Sequence, residues 1–443
     1  SFLARFPVTA RAAAEEHDRA VAAGAALPPL SGVPLGIKAM LGTRERDADA
    51  QSLVADPDAS HGEDAASVAA LRGAGAVILG HNTMVEHAMG RPDPLSPFPV
   101  PRNPWDLERW PGGSSSGTAN GVAAGLFAGG LGTDTTGSIR IPAAFCGLTG
   151  FAPSHDLVPT AGCLPAAPSL DVVGPIVPSA RDARLLMSVL APGFDAPDSG
   201  PRSGRDPRRI GVPEELLGAE RGVDPATRAA VAHSLSTLEA AGYRVEAFPL
   251  PEFDELVQIT LGLSLAEVHA GHRERLSTDW HRYGRSFRRI AAAGAAFPPD
   301  TGDALRARAA RLRDALGARL AEYTAIATPT WPTGAAPYAA SGGLPVPETN
   351  FTAAWSAVGF PSLSLPAGRD GNGMPLGLLL TGAPGTDGRV LGAGEALQRR
   401  DRGHLARPDL GEHPLPMPRP VPDPDASGEP GAVVPPNEQP AWL

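Results

Sequence analysis

Segments with the pattern of a helix alternate with short apolar segments along most of this chain. Residues 9–24 are rich in alanine, offer Thr9 as an N-cap and break at Gly24, so they are predicted to form a helix. The run GVPLGIKAM is predicted to be a buried strand, and residues 64–72 followed by AVILG repeat the order of helix, glycine turn and strand. This alternation predicts an α/β fold with a mixed or parallel sheet covered by helices.

The same order returns in the second half of the chain. Residues 224–250 combine a helical pattern, a stop at Gly242 and a strand pattern, and residues 252–322 are predicted to be mostly helical. IATPT and PSLSLPAG have the pattern of two more buried strands. After Arg402 the sequence is dominated by proline, glycine and aspartate, which bury little apolar surface, so residues 403–443 are predicted to form an extended tail.

Length and charge narrow the class of protein. The 443 residues, 42% of them hydrophobic, are ample for a large core, and no run of 18 apolar residues occurs, so no membrane span is expected. The net charge of -10 argues against nucleic acid or an anionic membrane as a partner. Cys146 and Cys163 lie in apolar surroundings and are predicted to be reduced thiols. We expect a cytoplasmic protein that is a monomer or a homodimer.

Lys38 is the only lysine among the 38 lysine and arginine residues of the chain. Compositional bias alone could have left one lysine by chance. A guanidinium, however, stays protonated in any protein, whereas a desolvated amine can lose its proton. The apolar residues around Lys38 predict burial, which lowers the pKa of a lysine. A site that needs a neutral amine would therefore accept lysine and reject arginine.

The densest signal is a glycine- and serine-rich region at residues 109–154, with GGSSSG at 112–117 and TDTTGSIR at 133–140. A flexible linker does not fit, because a small-residue helix pattern follows the first cluster. A phosphate loop does not fit either, because no Gly-Lys-Ser/Thr follows the glycines. A nucleophile elbow needs G-x-S-x-G, whereas Ser138 lies in TGSIR.

Several motifs in this region resemble the amidase signature family. GVPLGIK ends at Lys38, GGSSSG begins at residue 112, GTDTTGSIRIPA at 132, CGLTG at 146 and SLDVVGP at 169. The similarity runs from about residue 9 to about residue 400, with the motifs in the family's order and spacing. The resemblance implies the amidase signature fold, in which a central twisted mixed sheet is covered by helices on both faces.

The resemblance also implies a catalytic triad of two serines and a lysine. Carried over, Ser138 is the nucleophile, Ser114 the bridging serine after a cis peptide bond from Gly113, and Lys38 the base. None of the 11 histidines lies in these motifs, and a neutral lysine can replace histidine as the base that activates a serine. The oxyanion would be held by the backbone N–H groups of Thr135, Thr136, Gly137 and Ser138.

The chain departs from the family pattern at four places. Thr136 stands where the family often has glycine, Ala39 where aspartate often follows the lysine, and Ala152 where lysine is common. The segment LGTRERDADAQSL also differs from the family's usual D-x-x-G-x-x-T run. A β-branched residue at position 136 narrows the site. None of these positions belongs to the triad, so they bear on the choice of substrate more than on catalysis.

The walls of the substrate pocket are predicted from segments 83–101, 163–169 and 331–360. Apolar side chains there favour an apolar or aromatic substrate group, although core packing explains each of them equally well. The candidates are Met84, Met89, Phe98, Leu164, Trp331, Tyr338, Phe351 and Trp355. Asp134, Arg140 and Asp171 are predicted to be structural. His269 and His272 are three residues apart on a helix, which is not enough for a metal site.

The sequence thus predicts one amidase signature domain over residues 1–402, followed by the tail. Its catalytic core spans about 30–180, and the helical region 252–322 forms a lid or substrate region. The expected reaction is hydrolysis of a linear C–N bond in a small-molecule amide, anilide or carbamate, with no metal and no organic cofactor. Two alternatives stay open: an amide-transfer subunit of a glutamine-dependent complex that acts on charged tRNA, and a binding protein without catalysis on the same scaffold.

Overall fold

The computed structural model of the chain describes residues 1–56, 62–91, 97–194, 208–338 and 349–411. Its strands are β1 (Phe2–Arg5), β2 (Pro34–Lys38), β3 (Val77–Asn82), β4 (Gly129–Asp134), β5 (Thr149–Ala152), β6 (Val172–Val177), β7 (Arg209–Val212), β8 (Arg244–Ala247), β9 (Ala325–Pro329), β10 (Ser362–Arg369) and β11 (Pro375–Thr381). Its α-helices are α1 (Pro7–Ala22), α2 (Ala66–Gly73), α3 (Ser116–Ala123), α4 (Arg140–Phe145), α5 (Ala180–Leu190), α6 (Pro225–Ala240), α7 (Phe253–Thr278), α8 (Arg285–Ala293), α9 (Thr301–Leu320), α10 (Ala353–Ser356) and α11 (Asp387–Arg400).

These strands form one sheet in the order β1-β3-β2-β4-β6-β5-β10-β11-β9-β7-β8. β2 runs parallel to both of its neighbours, β3 and β4, and β7 runs parallel to β8 and β9. The other neighbouring pairs are antiparallel. The sheet is therefore mixed, and this confirms the predicted fold class while removing the alternative of a wholly parallel sheet.

Alternate side chains of the central strands enter two different hydrophobic cores. Leu378 and Leu380 of β11 lie in a core with residues of α2, α5, α6 and α11, whereas Leu379 lies in a core with residues of α7, α9 and α10. Because successive side chains of a strand point to opposite faces, the two cores lie on opposite faces of the sheet. Helices cover both faces, as predicted.

Most predicted elements are present, with small shifts at their ends. The first helix begins at Pro7, two residues before Thr9, with Phe6 at the N-cap position. Proline is favoured in the first turn because its missing N–H has no partner there anyway. Thr9 is therefore not the N-cap, while Gly24 follows the helix with a φ of +67° that favours glycine.

Two observations bear on the ends and the surface of the molecule. The predicted tail is described only up to residue 411, and its remaining residues, 412–443, lie outside the described part of the chain. In the described ranges, the structure contains no helix that is both long and apolar enough to span a bilayer.

Candidate active site

Two neighbouring parallel strands end at the same edge of the sheet, and the residues around their ends form the candidate site. Ile37 of β2 pairs with Leu131 of β4, so the chain leaves both strands in the same direction. β2 ends on Lys38 and β4 ends on Asp134, four residues before Ser138. The carboxyl ends of adjacent parallel strands are thus what brings these distant sequence segments together.

Lys38 is completely buried and makes three hydrogen bonds to residues that the structure describes. Its Nζ lies 2.7 Å from the Ser114 Oγ, 2.7 Å from the Thr133 Oγ1 and 3.2 Å from the Thr133 carbonyl oxygen. Burial lowers the pKa of Lys38 from its ordinary value near 10.5 to about 7, although Asp134 and Asp171 act in the opposite direction. The amine can therefore exist in its neutral form at physiological pH.

The partners of Lys38 allow a neutral amine to direct its lone pair at Ser114. The Thr133 carbonyl can only accept, so one N–H must point to it, and the Thr133 hydroxyl can accept the second. The lone pair then faces Ser114, whose hydroxyl can donate to Nζ. In this arrangement the Ser114 oxygen is free to accept a proton from another hydroxyl group.

Ser114 lies in the turn before α3. The peptide bond between Gly113 and Ser114 is cis, as the resemblance implied. Ser114 is anchored through its carbonyl, which accepts from the Val85 N–H at 3.1 Å, and the next N–H, of Ser115, donates to the Ser138 carbonyl at 3.2 Å. This last bond holds the backbone of Ser138 next to the bridging serine.

Among the three predicted catalytic residues, the exposed fraction increases from Lys38 through Ser114 to Ser138. The relative exposed area is 0% for Lys38, 3% for Ser114 and 6% for Ser138. Within the described ranges, the Ser138 hydroxyl makes no hydrogen bond. The lysine is thus sealed from water, and Ser138 is the most exposed of the three side chains.

The turn after β4 carries the four predicted oxyanion donors, but one of them has another partner. The Gly137 N–H donates to the Asp134 Oδ1 at 2.7 Å. The N–H groups of Thr135, Thr136 and Ser138 have no acceptor among the described residues. Three donors, and not four, are therefore available for an oxyanion at this turn.

Gly137 is required at this turn for a steric reason as well. Its φ is +133°, and a Cβ at this position would lie 2.0 Å from the Thr352 Oγ1. The Thr352 hydroxyl donates to the Thr136 carbonyl at 2.7 Å. A residue more than 200 positions away thus packs against the turn and keeps room for glycine alone.

Asp134 and Arg140 form a buried ion pair behind the turn. The Arg140 Nη2 lies 2.7 Å from the Asp134 Oδ1 and the Nε lies 2.9 Å from Oδ2, while Nη1 donates to the Thr352 carbonyl at 2.8 Å. Burial alone would raise the pKa of Asp134, but Arg140 and the backbone N–H donors outweigh it, so the pKa of Asp134 is lowered. The pair therefore stays charged and holds the turn in place, which is the structural role that the sequence predicted.

Replacing Arg140 with methionine is expected to destabilise the protein by about 3–5 kcal/mol, because Asp134 would be left as a buried charge without its partner. Urea unfolding of the wild type and the variant measures the difference. Arg221→Met is the control, since Arg221 pairs with Asp254 in a more exposed place and should cost about 0–1 kcal/mol. Equal losses in the two variants would contradict the structural role.

Asp171 supports the same turn from the other side. Its Oδ1 accepts from the Thr135 hydroxyl at 2.6 Å, and its Oδ2 accepts from the N–H groups of Ala166 and Ala167 at 2.8 and 2.9 Å. Burial raises the pKa of Asp171 to about 6, and the hydrogen bond from Thr135 acts against that rise. Asp171 thus connects the segment after Cys163 to the turn that follows β4.

Sequence reasoning missed Thr133, although its place in the GTDTTGS motif was the available signal. Replacing it with valine removes the hydroxyl that stabilises the charged amine, so the pKa of Lys38 should fall below about 7. We expect the acid limb of the rate profile to move to lower pH in Thr133→Val and to stay in place in Thr133→Ser. Profiles of kcat/KM between pH 5 and 9 measure both, and an acid limb moving to higher pH in Thr133→Val would contradict this arrangement.

The predicted substrate-binding residues lie in three separate hydrophobic clusters. Met84, Met89, Phe98 and Leu164 belong to one cluster, Phe351 and Trp355 to the core under α7 and α9, and Trp331 packs with Phe145 in a third. Met84 and Met89 also line a small cavity of about 30 Å³ together with Val85, which contacts Ser114. Residues 92–96 and 339–348 of the predicted walls lie outside the described residues.

The two histidines weighed as metal ligands have other surroundings. The His272 Nδ1 lies 2.9 Å from the Tyr283 hydroxyl, and its ring packs 4.5 Å from the ring of His87. The His269 Nδ1 faces the Ala291 carbonyl at 3.0 Å. No group of three or more metal-ligating side chains occurs in the part of the chain that the structure describes.

Comparisons with known proteins agree on family and fold. The profile of a protein family described as Amidase matches residues 1–391. The A-type subunit of the glutamyl-tRNA(Gln) amidotransferase of Symbiobacterium thermophilum is 35% identical over 426 residues, covering 87% of this chain and 86% of that protein. A crystal structure of an amidase superposes with a TM-score of 0.79 at 30% identity, covering 90% of this chain and 92% of that one. The native peptide amidase from Stenotrophomonas maltophilia has a TM-score of 0.73 at 27% identity, covering 91% and 89%.

Proposed function

The chain belongs to the amidase family, and on that premise we propose that it hydrolyses linear amide C–N bonds with Lys38, Ser114 and Ser138. The observation that carries the proposal is the distance of 2.7 Å between the Lys38 Nζ and the Ser114 Oγ in a fully buried site. A buried amine with a pKa near 7 that contacts a hydroxyl is suited to serve as a base. A scaffold used only for binding would not need such an amine.

The reaction begins when the Ser138 hydroxyl, which has no hydrogen-bond partner among the described residues, turns to donate to Ser114. Lys38 then takes a proton from Ser114 while Ser114 takes the proton of Ser138. The Ser138 oxygen then attacks the carbonyl carbon and forms a tetrahedral intermediate. Its oxyanion accepts hydrogen bonds from the N–H groups of Thr135, Thr136 and Ser138, and one such donor is typically worth about 10²–10³ in rate. The lysine at this point is an ammonium, held by its contacts to Thr133.

The second half of the reaction returns the proton. Ser114 donates its proton to the departing nitrogen and recovers one from Lys38, so the C–N bond breaks and an amine or ammonia leaves. A water molecule then attacks the ester of Ser138, giving its proton back through Ser114 to Lys38. Release of the carboxylic acid regenerates the Ser138 hydroxyl and the neutral amine, with every proton accounted for by this chain's own residues.

The proposed substrate class follows from the proton relay and from the family match. The cavity that Met84 and Met89 line beside Val85 holds about 30 Å³, which is too small for an alkyl or aryl group, so the described walls do not select such a group. Amides and anilides fit this chemistry directly. Carbamates fit it too, because their loss of an amine uses the same proton relay.

The amidotransferase relative favours a second candidate function, that of the amide-transfer component of such a complex. In that case ammonia released at Ser138 would be used by a partner protein, and the chain alone would show little turnover of simple amides. The two candidates share the proposed triad, so they differ in substrate and in assembly and not in the chemistry at the serine. Sequence similarity favours this second candidate, because relatives at 35% identity are A-type amidotransferase subunits, whereas the peptide amidase and the amidase of similar fold support hydrolysis.

The experiment that separates them is an assay of the purified chain alone. The substrates are p-nitroanilides, primary amides including glutamine, carbamates and p-nitrophenyl esters, with Ser138→Ala as the control. Turnover of anilides or primary amides that Ser138→Ala abolishes supports the hydrolase. Turnover of glutamine alone, rising when the other components of an amidotransferase are added, would replace it with the second candidate, and no turnover with any substrate would refute the first.

A further inference from the structure

A second cavity, of about 340 Å³, lies at the far end of the sheet from Ser138. It lies at the N-terminal ends of β7, β8 and β9, and one face of α11 lines it. β9 is five strand positions away from β4, which is roughly 24 Å at about 4.8 Å per strand. The cavity is therefore separate from the candidate active site. We call it the arginine cavity; its lining residues are Arg208, Ala241, Tyr243, Thr324, Gly388, Arg389, Gly392, Ala396, Arg399 and Arg400.

The arginine cavity has an unusual charge for a chain with a net charge of -10. Four arginines line it, and no aspartate or glutamate occurs among the lining residues that the structure describes. Tyr243 and Thr324 also line it. Four guanidinium groups around one space repel each other, and a bound anion would relieve that repulsion.

Three nearby carboxylates contact other groups, and one of them, Glu395, also contacts Arg399 of the cavity. Glu395 contacts the Arg184 Nε at 2.6 Å and the Arg399 Nη1 at 3.6 Å. Asp387 accepts from the Ser154 N–H at 2.8 Å, and Asp401 faces the His233 Nε2 at 3.1 Å. These three acids therefore do not compensate the charge of Arg389 and Arg400 among the described residues.

Two of the arginines have no carboxylate partner among the described residues. Arg400 forms no ion pair there, and the Arg389 Nη1 is buried without any hydrogen-bond partner. Leaving a charged donor buried and unpaired is costly, and a ligand oxygen at this point would satisfy it. The small residues Gly388, Gly392 and Ala396 lie on the same face of α11 and leave the space between the arginines open.

We propose that the arginine cavity binds an anion that carries phosphate groups. The guanidinium groups match phosphate oxygens in planar pairs of hydrogen bonds. The cavity volume falls within the range of small-molecule sites and is larger than a single inorganic ion requires. A compound with two or more phosphates uses several arginines at once, so a diphosphate or a phosphorylated metabolite is the class of ligand that fits.

Titration calorimetry with inorganic pyrophosphate on the full chain tests this proposal at constant ionic strength. The wild type should bind at one site. Arg389→Gln and Arg400→Gln should each weaken binding by about 10- to 100-fold, the effect of losing one charge-assisted hydrogen bond. Arg11→Gln, which changes an exposed arginine of α1, is the matched control and should bind as the wild type does. Melting temperatures show whether each variant is folded, and the exposed Arg400 gives a result even if Arg389→Gln is unstable.

The outcomes separate specific from non-specific binding. One-site binding that is lost in the Arg389 and Arg400 variants and kept in Arg11→Gln supports the proposal, whatever the activity assay shows. An added arm uses a short RNA hairpin at equal phosphate concentration: competition identifies a nucleic-acid phosphate as one source, and its absence restricts the ligand to small phosphates. No binding of pyrophosphate at millimolar concentration, or an equal loss in Arg11→Gln, would overturn it.

Discussion

Replacing Ser138 with alanine is expected to lower kcat/KM on a simple amide by about 10⁴-fold or more. The reason is that the variant has no hydroxyl at the proposed nucleophile position, so no acyl-enzyme can form there. The fold should survive, because the Ser138 hydroxyl makes no hydrogen bond among the described residues. Steady-state rates with a p-nitroanilide, together with the melting temperature, measure both effects.

Ser234→Ala is the matched control for this substitution. Ser234 is a buried serine of α6 whose hydroxyl, among the described residues, donates only to the Ala230 carbonyl, so its loss should leave the rate unchanged. A fluorophosphonate should label the wild type at Ser138 and leave Ser138→Ala unlabelled, as read by mass spectrometry of the peptides. Labelling of a different serine, or more than a tenth of the activity left in Ser138→Ala, would assign the nucleophile elsewhere.

Replacing Lys38 with arginine is expected to be nearly as damaging as replacing it with alanine, each costing about 10⁴-fold or more in kcat/KM. Arginine keeps the charge and much of the length, but a guanidinium does not give up its proton in a protein and cannot act as a base. A lysine that served only as a structural cation would tolerate the change far better. The comparison therefore separates proton transfer from charge.

Lys38→Met is the control that separates catalysis from folding. Methionine fills a similar volume without a charge in a site where burial disfavours one. We expect Lys38→Met to be folded and inactive, with a melting temperature at least as high as that of Lys38→Arg. Activity within tenfold of the wild type in Lys38→Arg would remove the base from the proposed mechanism.

Local sequence patterns were sufficient for the predictions that depend on neighbouring residues. The apolar run around Lys38 predicted a buried strand, and β2 ends on that lysine. The alternation of helix and strand predicted an α/β sheet, and the resemblance implied the cis bond at Gly113. These features follow from the pattern of burial and from the residues of single motifs, which a sequence shows directly.

Features that depend on contacts between distant segments could not be predicted from the sequence in this way. The Asp134 carboxylate accepts a hydrogen bond from the Gly137 N–H, so one of the four predicted oxyanion donors is not available. Thr352 packs against that turn from a segment more than 200 residues away, and nothing in its own sequence indicates this. The predicted pocket residues also divide among three clusters, because an apolar side chain suits a core and a pocket equally well.

The most direct test of the central claim, a neutral amine at Lys38 that acts as the base, is the pH dependence of kcat/KM on an uncharged amide. With a pKa of about 7, the neutral fraction of the amine is about 9% at pH 6 and about 99% at pH 9. The rate should therefore rise roughly tenfold between these values and level off above about pH 8. A profile that is flat over this range, or that falls as the pH rises, would contradict a base at this position.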